Sequence, residues 1–257
     1  MKNFIITCAV FLLVQQGMAA CPQTPVVSVY FVNGMNTSLS SARAQTLALE
    51  HKVRPSLPTG VTVNFSYSYN ANESDTRQIV QVLSQTLNDK SIPYYQWLSN
   101  PSSSPALFQT ALQSLEVGST VSSYVKDPDL QTHVQKYAAD LAAGKKVVLV
   151  AHSQGNFYAN RAYEQLASTS LGIVSVGTPS SYTAGNGPYT TLTTDLVIQS
   201  ILQHRSANTT NGALFLLNVK DNQGHSFRKS YLNGDVSGPK IVSQIVSQIT
   251  TLPCPAL

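Results

Sequence analysis

The sequence predicts an α/β fold built on a mostly parallel sheet. Three observations carry that prediction. In "PVVSVYFVNG", Val26 to Val32 is a near-continuous apolar run that stops at Asn-Gly, as a strand buried on both faces reads. Runs of this kind alternate with segments of helical periodicity, the pattern of parallel strands joined by crossover helices. Last, "KKVVLVAHSQG" passes from an apolar strand through a sharp turn straight into a helix.

The elements follow in order. Leu39, Ala42, Thr46 and Leu49 fall at helical spacing after the first strand, with Thr37 or Ser38 as N-cap. "GVTVNFSYSY" is a second strand. Asn72 to Lys90 is an amphipathic helix with Ile79, Val82, Leu83 and Leu87 on one stripe. Residues 91–129 break the alternation with Pro93, Pro101, Pro105 and the aromatics Tyr94, Tyr95, Trp97 and Phe108. They form a helical insertion, either an ordinary packed one or a cap over a pocket. Leu130 to Ala143 is a helix closed by Gly144. After the strand Val147–Val150, Asn156 to Ala167 is a helix with Ala159, Ala162, Tyr163 and Leu166 turned inward. "LGIVSVGTP", Thr190–Thr194 and "ALFLLNV" (Ala213–Val219) are the remaining strands. Pro179 to Tyr189 is a Gly/Ser/Asn/Pro-rich loop between two of them. The last helix opens at Ser237-Gly238-Pro239 and presents Ile241, Val242, Ile245, Val246 and Ile249 on one face.

A chain of 257 residues with 42% apolar residues can bury a normal core, which excludes intrinsic disorder. Its length does not force a second domain. Charged residues are only 11%, and the net charge of +4 is scattered rather than clustered, which gives no signature of nucleic-acid binding. Residues 1–20 read as a signal peptide. Lys2 is the only charge before Arg43, Phe4 to Val14 is an apolar core too short to span a bilayer, and Gly17, Ala19 and Ala20 follow. The expected destination is secreted or periplasmic, with 21–257 as a single domain. Of three cysteines, Cys8 leaves with the leader. Cys21 and Cys254 pair in an oxidising compartment, or Met18-Ala19-Ala20-Cys21 is a lipobox that anchors Cys21 to a membrane. No metal-type cysteine or histidine cluster and no cofactor motif is present.

The sharpest local signal is Ala151-His152-Ser153-Gln154-Gly155. A serine on a strained strand-to-helix turn needs small residues two before and two after it, so that neighbouring backbones can approach. Ala151 and Gly155 meet that need. The bland reading is that Ser153 only starts a helix. A nucleophilic serine also needs a base and an orienting acid. On this kind of turn the chain order is serine, acid, histidine. His51 and His133 precede Ser153, and His152 adjoins it with its side chain directed elsewhere. Of the two that follow, His204 lies in what reads as a helix end, and His225 lies in the loop "NVKDNQGHSF", so His225 is the candidate base. Between serine and base lie Glu164, Asp195 and Asp221. Glu164 faces away on the helix. Asp195 ends the strand "TTLTT" and is the first candidate acid, with Asp221 second. Asp195 also reads as a simple helix N-cap, and His225 as a plain loop histidine.

Acyl transfer develops an oxyanion that aimed backbone N–H groups must hold. The Gln154 N–H, directly after Ser153, is one candidate donor. The other comes from Asn33-Gly34-Met35-Asn36, with the Met35 N–H favoured. An ordinary Asn-Gly turn is the alternative there.

In the order "FVNGM", "VVLVAHSQGN", "SVGTP", "TTDLVI", "NVKDNQGHSF", the chain resembles the α/β-hydrolase superfamily, and within it compact bacterial lipases and esterases. The resemblance spans almost all of residues 21–257. It implies an α/β-hydrolase fold and hydrolysis of carboxylic esters, lipid or acyl esters foremost, through an acyl-serine. Ser153, Asp195 and His225 would be catalytic, with no cofactor. Two departures stand out: the chain begins at the family's third strand, and Asn33 stands where many members have His. An acyltransferase with the same triad, or a non-catalytic binding protein on the same fold, remains the alternative. A small-molecule or lipid ester is the expected partner, with peripheral membrane association and oligomeric state open.

Overall fold

The computed structural model describes residues 25–34, 37–71, 128–199, 205–218 and 221–255. Five strands form one parallel sheet in the order β2-β1-β3-β4-β5: β1 Val26–Val32, β2 Thr62–Ser68, β3 Lys146–His152, β4 Leu171–Val176 and β5 Tyr189–Thr190. Among the described residues, the helices are α1 Leu39–Val53, α2 Pro128–Ala142, α3 Gly155–Leu166, α4 Leu196–Gln199, α5 Ala213–Asn218 and α6 Ser237–Thr251, and a π-helical segment spans Phe227–Leu232.

The continuous apolar strands are explained by burial on both faces. Val27, Val29 and Phe31 of β1 pack with Val148 and Val150 of β3, with Leu49 and Val53 of α1, and with Ile241, Ile245 and Ile249 of α6. Tyr30 and Val32 pack on the opposite face with Val147, Leu149 and Ala151, against Leu130 and Tyr137 of α2 and Tyr158, Ala159 and Ala162 of α3. The period of two divides each strand between two layers of helix.

This order has a consequence for the site. The chain leaves β1 through α1 toward β2 on one side, and leaves β3 through α3 toward β4 on the other. The connections diverge between the C-terminal ends of β1 and β3. Such a switch point opens a crevice at the carboxyl ends of the strands, where α/β proteins bind ligands. Gly34 and Ser153 both lie at that edge.

Several expectations need correction. The expected strand Ala213–Val219 is helical where it is described: Ala213–Asn218 is α5, with Leu216 N–H donating to Gly212 O (3.2 Å). A short apolar run does not distinguish strand from helix, and this one is not core. Leu214 is 79% and Leu217 82% exposed. The expected strand Thr190–Thr194 is reduced to Tyr189–Thr190, after which Leu192 makes an isolated parallel bridge to Thr209. Pro128 and Asp129, assigned to the insertion, open α2 instead. The expected helix Asn72–Lys90, and residues 91–127 of the expected insertion, lie outside the described residues, as do residues 1–24 with the expected signal peptide and Cys21. Ser38 is the N-cap of α1, accepting from Ser41 N–H, while Leu39 is exposed rather than on the buried stripe.

Leu47 and Leu49 of α1 offer an internal comparison, because Leu49 is buried and Leu47 is 65% exposed. Leu49→Ala should cost about 2–5 kcal/mol in urea unfolding, and Leu47→Ala less than about 0.5 kcal/mol. Equal losses would contradict the placement of α1.

Candidate active site

Ser153 directly follows β3 and turns the chain into α3 within two residues. Its φ is +54°, left-handed backbone that an L-residue adopts only when its surroundings hold it there. Those surroundings are visible. Ser153 N–H donates to Val176 O at the end of β4 (3.1 Å). Asn156, fully buried, donates from Nδ2 to Ser153 O (2.9 Å) and to Val176 O (3.3 Å), and accepts from Ser175 Oγ (2.6 Å). The turn is thus tied to the next strand.

Two glycines permit the approach of β1. A Cβ on Gly155 would run into the carbonyl oxygens of Val32 and Asn33, and a Cβ on Gly34 would lie 2.6 Å from Ser153 Cβ and 3.1 Å from its Oγ. The loop after β1 therefore touches the serine itself. Asn33, standing where the resembled family often has His, is fully buried and has a structural task. Its Oδ1 accepts from Asn70 N–H (2.9 Å) and its Nδ2 donates to Asn70 O (3.1 Å), which clamps the end of β1 to the end of β2.

Ser153, His225 and Asp195 are brought into one line. Ser153 Oγ lies 2.9 Å from His225 Nε2, and His225 Nδ1 lies 2.8 Å from Asp195 Oδ2 and 3.0 Å from Oδ1. A carboxylate only accepts, so Nδ1 carries the proton and the Nε2 lone pair faces the serine hydroxyl. Asp195 is fully buried; the His225 side chain is 18% exposed. Asp195 also fills its bland role: Oδ1 accepts from Ile198 N–H (3.0 Å) in the first turn of α4. One carboxylate both caps α4 and holds the His225 ring.

Asp221 takes a different part. It accepts from Ser226 N–H (2.6 Å), Ser230 Oγ (2.6 Å) and Gln223 N–H (3.3 Å), which folds the loop around His225. Burial raises its pKa, but these hydrogen bonds and the nearby His225 outweigh burial and hold the carboxyl below its ordinary range. Leu196 N–H donates to Gln223 O (2.9 Å), joining the acid loop to the histidine loop. Glu164 pairs with Arg161 and Tyr182 at the surface, as expected for an acid that faces away.

His152 is directed away from Ser153 but not away from the site. Its Nε2 donates to His225 O (2.9 Å), and its ring lies 4.8 Å from the His225 ring, centroid to centroid. Burial, with the nearby His225 charge second, keeps its pKa well below the usual histidine value. Tyr231 was also hidden from sequence reading. Its hydroxyl donates to Asp195 Oδ2 at 2.6 Å. Neither residue carries a motif signal, since both contacts join separate segments. Gln154 N-caps α3, so its amide lies at the positive end of that helix, where an oxyanion is favoured. Met35 and His204 lie outside the described residues.

Among the described residues, no three His, Cys, Asp or Glu side chains gather as metal ligands, and no helix is long and apolar enough to cross a membrane. Cys254 is disulfide-bonded.

The neutral, buried His152 has a measurable consequence. Its folded-state pKa lies below its unfolded one, so below about pH 6.5 the unfolded chain takes up a proton that the folded chain does not. Stability should fall as pH drops from 7 to 5, with His152 contributing up to about 1.4 kcal/mol per pH unit. His152→Gln keeps a donor toward His225 O and should make the slope shallower in urea unfolding. An unchanged slope would contradict a neutral His152.

No protein-family model and no curated protein matches this chain.

Proposed function

We propose that this protein is an exported serine hydrolase of the α/β-hydrolase type that cleaves carboxylic esters through an acyl-serine. The observation that carries the proposal is the hydrogen-bonded line from Ser153 Oγ through His225 to buried Asp195. Its position at the switch point between β1 and β3 supports the same reading.

In the proposed reaction, Ser153 Oγ attacks the ester carbonyl as His225 Nε2 takes the hydroxyl proton. Asp195 holds the imidazole in the required tautomer and offsets the charge it gains. The carbonyl oxygen becomes an oxyanion, held by the N–H groups of Gln154 and Met35. The C–O bond to the alcohol breaks, and His225 returns its proton to the leaving oxygen. Water then attacks the acyl-serine by the same route, releasing the acid and restoring the serine.

An apolar acyl or lipid ester is supported by the exposed leucines near these segments. Leu196 directly follows the acid, and Leu214 and Leu217 of α5 precede the histidine loop. Exposed apolar side chains on the segments that follow the acid and precede the histidine loop in the chain suit an apolar substrate or surface. The disulfide at Cys254 supports an oxidising destination, and Cys21 is its proposed partner. A Cys21 sulfur committed to that bond leaves none for a lipid anchor.

A series of p-nitrophenyl esters of increasing acyl length tests the proposal. Wild type should hydrolyse them, Ser153→Ala and His225→Ala should lose about 10³-fold or more in kcat, and Asp195→Asn about 10⁴-fold at most. Activity retained in Ser153→Ala would refute the mechanism.

A further inference from the structure

Asp195 is a buried carboxylate whose only ion-pair partner among the described residues is His225. Its charge is otherwise held by neutral donors. Beside His225 Nδ1–H, which reaches both oxygens, Ile198 N–H reaches Oδ1 and Tyr231 O–H reaches Oδ2. Building on the serine-hydrolase reading, we propose that Tyr231 is a positioning residue. Its O–H donates to Asp195 Oδ2 and so limits how strongly Asp195 draws a proton onto His225.

The direction of the tyrosine proton follows from its two partners. The Tyr231 oxygen accepts Leu192 N–H (3.2 Å), so its one proton is left for the carboxylate at 2.6 Å. The hydroxyl is sealed in place. Tyr231 is fully buried, and a Cβ on Gly177, at φ +50°, would lie 2.9 Å from its oxygen and 3.2 Å from Asp195 Oδ2. The π-helical segment that carries it is anchored at Tyr231 O, which accepts from Ser237 Oγ (2.7 Å) at the start of α6. Burial first, and the Asp195 charge next, push the Tyr231 hydroxyl well above its ordinary pKa, so it stays a donor.

A hydrogen bond to a carboxylate stabilises its charge and weakens its pull on a proton. Without Tyr231 O–H, Asp195 would hold the imidazolium more tightly. His225 would then remain protonated to higher pH and be lost as a base there. The titratable groups facing this centre are His225 and Asp221 from the histidine loop, His152 from β3, and Tyr231 itself. Tyr231→Phe alters none of the other three.

The test follows the pH dependence of kcat/KM and, without substrate, the NMR titration of the His225 ring. In Tyr231→Phe both midpoints should move up by about 0.5–1 pH unit, as expected for loss of one charge-assisted bond. Incorporating 3-fluorotyrosine at position 231, a stronger donor, should move them down. This opposite sign is not available to a residue that only fills space. Unmoved midpoints in folded variants, with thermal stability lowered or not, would overturn the inference. If wild type cleaves no ester but the NMR midpoints move in opposite directions, the hydrolase reading fails and the Tyr231 assignment stands.

Discussion

The arrangement depends on the backbone of Ser153. A left-handed serine costs about 1–2 kcal/mol relative to ordinary helix or strand backbone, so neighbouring structure must hold it. Val176 at the end of β4 accepts its N–H, Asn156 holds its carbonyl, and β1 closes against it where Gly34 and Gly155 leave no side chain in the way. Parallel pairing of β3 with both β1 and β4 brings these contacts to one point. In return the turn directs the serine side chain out of the sheet edge instead of into either core. The geometry of Ser153 is therefore a property of three adjacent strand ends.

The second half of the chain meets this fixed point from loops. Asp195 is held by capping α4, and His225 by a loop folded around Asp221 and supported from below by His152. Phe227 fastens that loop to β1, with its ring 4.6 Å from that of Phe31, centroid to centroid. Burial makes the electrostatics strong. Asp195 lies away from water, so each donor that reaches it weighs heavily on how the imidazole shares its proton. The same burial keeps His152 uncharged beside a base that must become charged during the proposed reaction.

Much of this was legible along the chain. The apolar runs of β1 and β3 read as strands because both faces are buried, and Ala151 and Gly155 around Ser153 read as a turn because only small residues fit there. The order of Ser153, Asp195 and His225 restricted the partners to a few residues, and the structure brings that set together. What stayed hidden is what neither periodicity nor spacing encodes. The run Ala213–Asn218 is as apolar as a strand, yet it is a largely exposed helix. Asn33 pairs with Asn70, and Tyr231 with Asp195, across separate segments. Asp195 was readable as cap or as acid, and one carboxylate both caps α4 and bonds the His225 ring, a coincidence that propensity alone does not reveal.

The proposed reaction requires Ser153 to be an activated nucleophile. Intact-mass measurement after exposure to a fluorophosphonate probe tests it without knowledge of the natural ester. An activated Ser153 should give one adduct on the folded wild-type protein and none on Ser153→Ala. Folded wild type that takes up no adduct, or an adduct that persists in Ser153→Ala, would contradict it.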